Sequence, residues 1–308
     1  MEENCKIQDN LFEFVLKDKF ENEKLVRPSI TYWKDAMRRY RKNKVATAAM
    51  IILIIIVLLA IFVPVLSPYT YYKQDYLNIN TAPNMKYWFG TDDLGRDIFV
   101  RCWQGARISL CIAFIAVFLN TAIGILYGGI AGFLGGWVDL VLMRIVEIIN
   151  SIPSMLWIIL LSLIFKPGVF SIILALTLTG WGGMARLFRG QVLQIRETEY
   201  VMASEILGGK SLWIIIKHLL PNALSPIITS MAFAIPSAIF SEAFLSYIGL
   251  GLPMPLASWG ILASDGSSKI LVFPYQLLFP ALLISVTMLA FNLIGDGLRD
   301  ALDPKLRD

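Results

Sequence analysis

The sequence predicts an all-α membrane protein that crosses the bilayer six times, and three observations carry the prediction. Of its 308 residues, 56% are hydrophobic and only 16% charged, too little polar surface to cover a water-soluble globule of this size. Charge-free runs recur along the chain, near the ~20 apolar helical residues that a bilayer core requires. Lys and Arg concentrate in alternate connections between those runs, as cytoplasmic loops do. The formal charge of +4 does not point to nucleic acid, because the basic residues cluster beside apolar runs rather than along one polar face. Cys5, Cys102 and Cys111 form neither a metal-ligand spacing nor a disulfide framework.

The elements follow in order. Residues 1–44 are charged throughout, end in WKDAMRRYRKNK (33–44), and are followed by the charge-free run VATAAMIILIIIVLLAIFVPVL (45–66). A cleavable signal peptide has a short charged start, an apolar core of about 7–15 residues and a small-residue cleavage site. The run 45–66 therefore reads as an uncleaved anchor and first transmembrane helix, with 67–106 as an extracytoplasmic loop. Further charge-free runs cover 108–138, 148–165, 167–185, 219–241, 243–264 and 270–295. The run 243–264 packs Gly249, Gly251, Pro253, Pro255 and Gly260 into a dozen residues, a spacing that breaks a helix. It reads as a loop or re-entrant segment buried against protein, where irregular backbone at membrane depth is tolerated. Five spans then lie within 107–298, and six in the chain.

With the N-terminus cytoplasmic, the inner segments hold 20 of the 27 Lys and Arg and the outer segments 7. Both termini are then cytoplasmic, and 299–308 form a short tail. A seventh span would place Arg299, Lys305 and Arg307 outside, against the same rule. The largest inner loop, 187–217, begins with a short surface helix: Met202 with Ile206, and Ala203 with Leu207, stand four apart and share a face, and Gly208 and Gly209 supply a stop. A second helical stretch, LWIIIKHLL (212–220), returns to the membrane before Pro221.

Several residues invite a chemical reading. GGKS (208–211) ends like a phosphate-binding loop, but Ser204 stands where the earlier glycine belongs and no strand pattern precedes it. Intramembrane carboxylates are functional candidates because burying them is costly. Glu147 has Arg144 one turn away and reads as an interfacial pair. Glu242, beside the Gly/Pro segment, either braces that segment or meets a ligand. His218 is the single histidine, without ligand partners at metal-binding spacing. A hydrolase needs a nucleophile, a base and an orienting group, and the chain has no Gly-x-Ser-x-Gly or His-Glu-x-x-His. A self-sufficient secondary transporter would show inverted repeats and midplane ionisable residues, and neither is visible.

The inner loop also carries a resemblance. ETEYVMASEILGGKSLWIIIKHLLPN (197–222) resembles the cytoplasmic EAA loop of binding-protein-dependent ABC importer permeases, with Ala203, Gly208, Leu220 and Pro221 at the family's spacing. FGTDDLGRDIFVRCWQGARISL (89–110), LSYIGLGLPMPLASWG (245–260) and GDGLRDALDPKLRD (295–308) are similar to the peptide and nickel branch, its second-permease (C-type) subunit above all. The likeness covers nearly everything after residue 30. Met202 departs from the wider family's Glu, Ser204 from its Ala, and Met254 from the branch's frequent Pro.

The resemblance implies a six-helix type I ABC importer permease with a coupling helix at about Tyr200 to Gly209, set into a groove of an ATP-binding subunit. Tyr200, Val201, Ala203, Ser204, Leu207, Gly208 and Gly209 would make that contact. Ala203, Ser204 and Gly208 give a small-residue face, and Leu207 with Val201 offer apolar area worth roughly 25 cal/mol per Å² buried. Glu242, Gly249, Gly251, Pro253 and Trp259 would form an outer gate or receive a substrate-binding protein, Trp259 and the prolines serving alternatively as a cap on the bundle. The implied partners are a homologous permease subunit in a heterodimer, two ATP-binding subunits, an extracytoplasmic binding protein and membrane lipid. ATP and Mg would sit on the ATP-binding subunits, leaving this chain without cofactor, metal or catalytic residue. The implied substrate is a di- or oligopeptide, with nickel or a metal chelate as the alternative in the same branch, and the location is the cell membrane.

Overall fold

The computed structural model describes residues 31–303, so 1–30 of the N-terminal segment and 304–308 of the tail lie outside the described residues. Regular structure among the described residues is helical apart from an isolated bridge between Thr91 and Asp97. By length and composition, five helices can cross a membrane and a bent pair makes a sixth.

Helix α1 (Tyr32–Lys42) is amphipathic and ends in Arg39, Arg41 and Lys42, favourable charges at a helix C-terminus. The Asn43 side chain accepts from Ala46 N at 3.1 Å and starts α2 (Lys44–Leu66). This helix is apolar on all sides. Its buried stripe, Ala46, Ala49, Leu53, Ile56 and Ala60, repeats every three or four residues, while Ile54, Ile55, Leu58 and Phe62 stay exposed as lipid-facing residues do.

The connection from 67 to 97 is irregular and knotted about Asp92, which accepts from Arg96 Nε at 2.7 Å and from Leu94 N and Arg96 N. It ends earlier than the sequence suggests. Asp97 accepts from Phe99 N at 2.9 Å and caps α3 (Ile98–Leu134), whose 37 residues take in the end of the expected loop 67–106. At 1.5 Å per residue α3 is about 55 Å long, well beyond a hydrocarbon core of ~30 Å. Arg107 lies within it because it has work there. Pro64 lacks the N–H that would reach Ala60 O, and Arg107 Nε donates to that carbonyl at 3.2 Å, with a second bond to Ile61 O at 2.8 Å.

The run 148–165 is not one helix. α4 (Gly136–Ser151) and α5 (Ser154–Ile164) meet at a bend of 79°, because Ile152 before Pro153 is held extended. α6 (Val169–Arg196) packs along α3 and passes the expected end at 185 by more than two turns, taking the first part of the 187–217 loop into its helix. Gly124, Gly128 and Gly132, four apart on α3, make that contact close. A Cβ at Gly128 would overlap the Ala185 carbonyl, and one at Gly132 would come within 3.0 Å of Arg189 O. Small residues at this spacing are how membrane helices approach without a hydrophobic driving force.

After α6 come α7 (Glu199–Ile206), α8 (Ser211–Ile214), a π-turn (Ile215–Leu219), α9 (Leu220–Asn222) and α10 (Leu224–Tyr247). The segment read as re-entrant is irregular from 248 to 258 and closes in α11 (Trp259–Ser267), where the Ser258 side chain accepts from Ile261 N. α12 (Tyr275–Leu302) runs past the expected start of the tail at 299. The principal core joins α2, α3, α10, α11 and α12, with Leu53, Ile239, Trp259 and Phe291 among its members. Tyr32 Oη and Ser225 Oγ both donate to Leu302 O at 3.1 Å. The start of α1, the end of α12 and the start of α10 therefore share one end of the bundle.

Candidate functional site

At that end, α7 stands at the corner between α6 and α8. Thr198 sets the corner by donating its hydroxyl to Ile195 O at 2.6 Å. The helix stops in a Schellman arrangement, with Gly208 N donating to Glu205 O at 2.9 Å and Gly209 N to Ser204 O at 3.0 Å. The two glycines serve it differently. Gly208 sits at φ +81 with open space around it, whereas a Cβ on Gly209 would come to 2.8 Å of Ser204 O.

Tyr200, Ala203, Leu207 and Gly208 are exposed, and Ser204 and Gly209 half-buried. Val201 departs from the sequence expectation. It is wholly buried and belongs to a cluster with Phe188, Val192, Ile214 and Leu219, so it holds α7 to this chain and offers no area outward. Ile206 takes the outward position instead. Ile206 and Leu207 are 86% and 87% exposed, beside half-exposed Met202. These side chains form an apolar patch at the end of a short helix that is not one of the helices long enough to span a membrane. His218 lies in the π-turn with its ring 5.1 Å from Trp213 and 6.2 Å from Tyr200, and Lys217 sits over Trp213, which backs α7 with a polar and aromatic layer. GGKS here closes α7 and opens α8.

At the opposite end, the Gly/Pro segment is tied down by a buried carboxylate. Ser109 Oγ of α3 donates to Glu242 Oε2 at 2.7 Å and Ser246 Oγ to Oε1 at 2.9 Å. Trp259 N donates to Ser109 Oγ at 3.3 Å, and the indole Nε1 to Cys102 O at 3.0 Å. Glu242 and Trp259 are fully buried, and the Glu242 carboxylate ties Ser109 of α3 to Ser246 of α10, a geometry suited to a brace. Gly251 is buried against Ser246, and Gly249 and Pro253 are exposed. Arg144 and Glu147 form an exposed pair at 2.7 Å.

An ionic cluster beside this segment, built on buried Arg101 and Asp92, was not legible in the sequence. Arg101 is 1% exposed and lies 3.6 Å from Asp92 and 3.9 Å from Asp265 of α11, while Lys269 pairs with Asp93 at 2.9 Å. Burial pushes the Asp265 carboxyl above the usual carboxylate range, and the Arg101 and Arg96 guanidiniums oppose it.

Between the two ends, α3, α6 and α10 enclose a cleft of 440 Å³ whose wall includes Asn120, Thr121, Thr179, Ser230, Ser237 and Ser241. The sequence signal for it is the recurrence of serine at 230, 237 and 241, a spacing that puts three hydroxyls near one face of the helix.

Residues 124–308 match the family described as binding-protein-dependent transport system inner membrane component, and residues 31–83 match the N-terminal transmembrane domain of oligopeptide transport permease C. The oligopeptide transport system permease protein OppC of Bacillus subtilis is 51% identical over 98% of this chain and 99% of that protein. The dipeptide transport system permease protein DppC of the same organism is 48% identical over 99% of this chain and 96% of its own length. OppC of Escherichia coli strain K12 is 43% identical over 93% of this chain and 95% of that protein. Taken with its apolar helices, these matches place the chain in the family of binding-protein-dependent transport system inner membrane components, as a multi-pass permease of the C-type oligopeptide and dipeptide branch.

Proposed function

We infer that this chain is one membrane-spanning subunit of a type I ABC importer for di- or oligopeptides. It pairs with a homologous permease and receives its driving force through α7 from an ATP-binding subunit. The observation that carries the reading is α7 itself, anchored inward by Val201 while Ile206 and Leu207 stand 86% and 87% exposed. ATP and Mg belong to two ATP-binding subunits in this reading, and the chain holds no catalytic residue. An extracytoplasmic binding protein delivers substrate to the end that carries Gly249 and Pro253. Both termini are cytoplasmic, supported by the Lys and Arg distribution and by the hydrogen bond from Tyr32 to Leu302 that sets the described chain ends side by side. Peptide is favoured over nickel or a chelate by the relatives, named as oligopeptide and dipeptide permeases.

Closure of the ATP-binding subunits around ATP would move their grooves, carry α7, and bias the bundle between inward-open and outward-open states through differential contacts. The test replaces Ile206 and Leu207 together by Glu. Because both side chains are exposed, the bundle stays folded in the membrane, while the ATP-binding subunits no longer copurify and uptake of a labelled pentapeptide is lost. Retained copurification and uptake would refute the docking role. Uptake by the wild type that nickel chelates compete and peptides do not would overturn the substrate assignment.

A further inference from the structure

We propose that the cleft between α3, α6 and α10 is this subunit's share of the substrate path and that it recognises the peptide main chain through its N–H groups. The proposal rests on the reading of the chain as a peptide permease and adds the chemistry of recognition.

A peptide crossing a membrane carries N–H and C=O groups that cost several kcal/mol each if left unpaired away from water. A path for peptides of varied sequence must therefore supply partners for the main chain. None of the residues lining the cleft is charged, and most of its polar groups are hydroxyls. Their protons are largely engaged within their own helices. Thr179 donates to Ala175 O at 3.1 Å, Ser237 to Phe233 O at 3.3 Å and Ser241 to Ser237 O at 2.8 Å. A hydroxyl that has donated keeps lone pairs to accept with, so this wall presents acceptors, and acceptors suit N–H groups.

Two further polar groups line the cleft. Thr121 is only 6% exposed. Asn120 donates its amide N–H to Leu176 O at 3.3 Å, but its Oδ1 is buried without any donor. The position of Asn120 is kept open by the absence of a side chain at Gly180, where a Cβ would overlap the amide. An acceptor buried without a donor has an unmet bond.

The dimensions agree. Ser230 and Ser241 are eleven residues apart on α10, about 16 Å, the length of roughly five residues of extended peptide at ~3.3 Å each. The absence of charge matters as well, because a path must bind weakly enough to let its cargo leave.

The test uses the whole importer in proteoliposomes, with this chain, its partner permease, the ATP-binding subunits and the binding protein. Uptake of a labelled pentapeptide is compared with uptake of the same peptide methylated at its internal amide nitrogens. The variants are Ser237→Ala alone, whose side chain is exposed and bonds only within its own helix, and Thr179→Val with Ser237→Ala and Ser241→Ala. The binding protein is common to all arms, so its own preference cancels. The wild type is expected to discriminate against the methylated peptide, and the triple variant to lose that discrimination with about tenfold lower uptake of the unmodified peptide, since each lost bond removes a few-fold. Ser237→Ala should lie between them. Both variants should still copurify with the partner permease and the ATP-binding subunits, which shows that the assembly is intact. Wild-type peptide uptake with discrimination unchanged in Ser237→Ala and the triple variant overturns the cleft assignment alone. Absence of peptide uptake by the wild type overturns the peptide reading and the cleft with it.

Discussion

Gly128→Ala tests whether the α3 and α6 contact is set by glycine. A Cβ at Gly128 would overlap the Ala185 carbonyl oxygen and come to 2.9 Å of its carbon, whereas comfortable carbon to oxygen contacts are about 3.3–3.6 Å. The neighbour is backbone and cannot rotate away, so the helices must part by about 1 Å. Overpacking of this kind costs about 1–3 kcal/mol. Alanine also removes the penalty of about 0.5–1 kcal/mol that glycine carries inside a helix, and a control must account for that gain. Gly190 provides it, since it lies within α6 and a Cβ there meets nothing within 4 Å. The difference in unfolding free energy between Gly128→Ala and Gly190→Ala, measured in mixed micelles by denaturant titration, isolates the overlap at about 1–3 kcal/mol. Agreement of the two variants within about 0.5 kcal/mol, the ordinary scatter of independent sites, would refute the reasoning.

The pairing of Arg107 with the carbonyl freed by Pro64 predicts coupling: Arg107→Met should cost about 1–3 kcal/mol in the native background and clearly less once Pro64→Ala restores the missing N–H, and a double-mutant cycle with no interaction would argue against it. At Asp97, burial raises the carboxyl to about 6 against the N–H groups of Phe99 and Val100 that donate to it. Because that value exceeds the unfolded one, the linked stability is present at low pH and lost as pH rises through about 6. Thermal midpoints of the wild type should therefore fall between pH 5 and pH 7.5 by more than those of Asp97→Asn, and equal slopes would refute the assignment. Glu242→Leu leaves the Ser109 and Ser246 hydroxyls without their acceptor and should destabilise by about 1–3 kcal/mol for each, opening residues 248–258 to proteolysis, whereas Glu242→Gln keeps an acceptor and should remain close to wild type. Protection of that segment in the Leu variant would remove the bracing role.

Much of the architecture was legible because it is imposed locally. The bilayer demands apolar runs of a given length, and any chain that crosses it must show them, as 45–66 and 270–295 do. The stop at Gly208 and Gly209 and the break at the Gly/Pro segment are likewise written in residues that restrict their own backbone, and the resemblance of 197–222 to the EAA loop needed only contiguous sequence. Element ends and side-chain directions were not local matters. Arg101 and Arg107 read as loop charges, because their helical placement depends on Asp92, Asp265 and the carbonyls near Pro64. Val201 read as outward until Phe188 and Leu219 were seen to cover it. Glu242 reads from sequence as brace or ligand contact, and its bond from Ser109 comes from another helix. The cleft could not be assembled in advance, since Asn120, Thr179 and Ser237 come from three helices. By itself the sequence determined that this is a many-helix membrane protein and that one connection carries a short helix with a glycine stop. The tertiary structure alone decided which polar groups are satisfied and which are left open. Burial and hydrogen bonding are set by partners distant in the chain, and an unpaired acceptor is defined by everything around it.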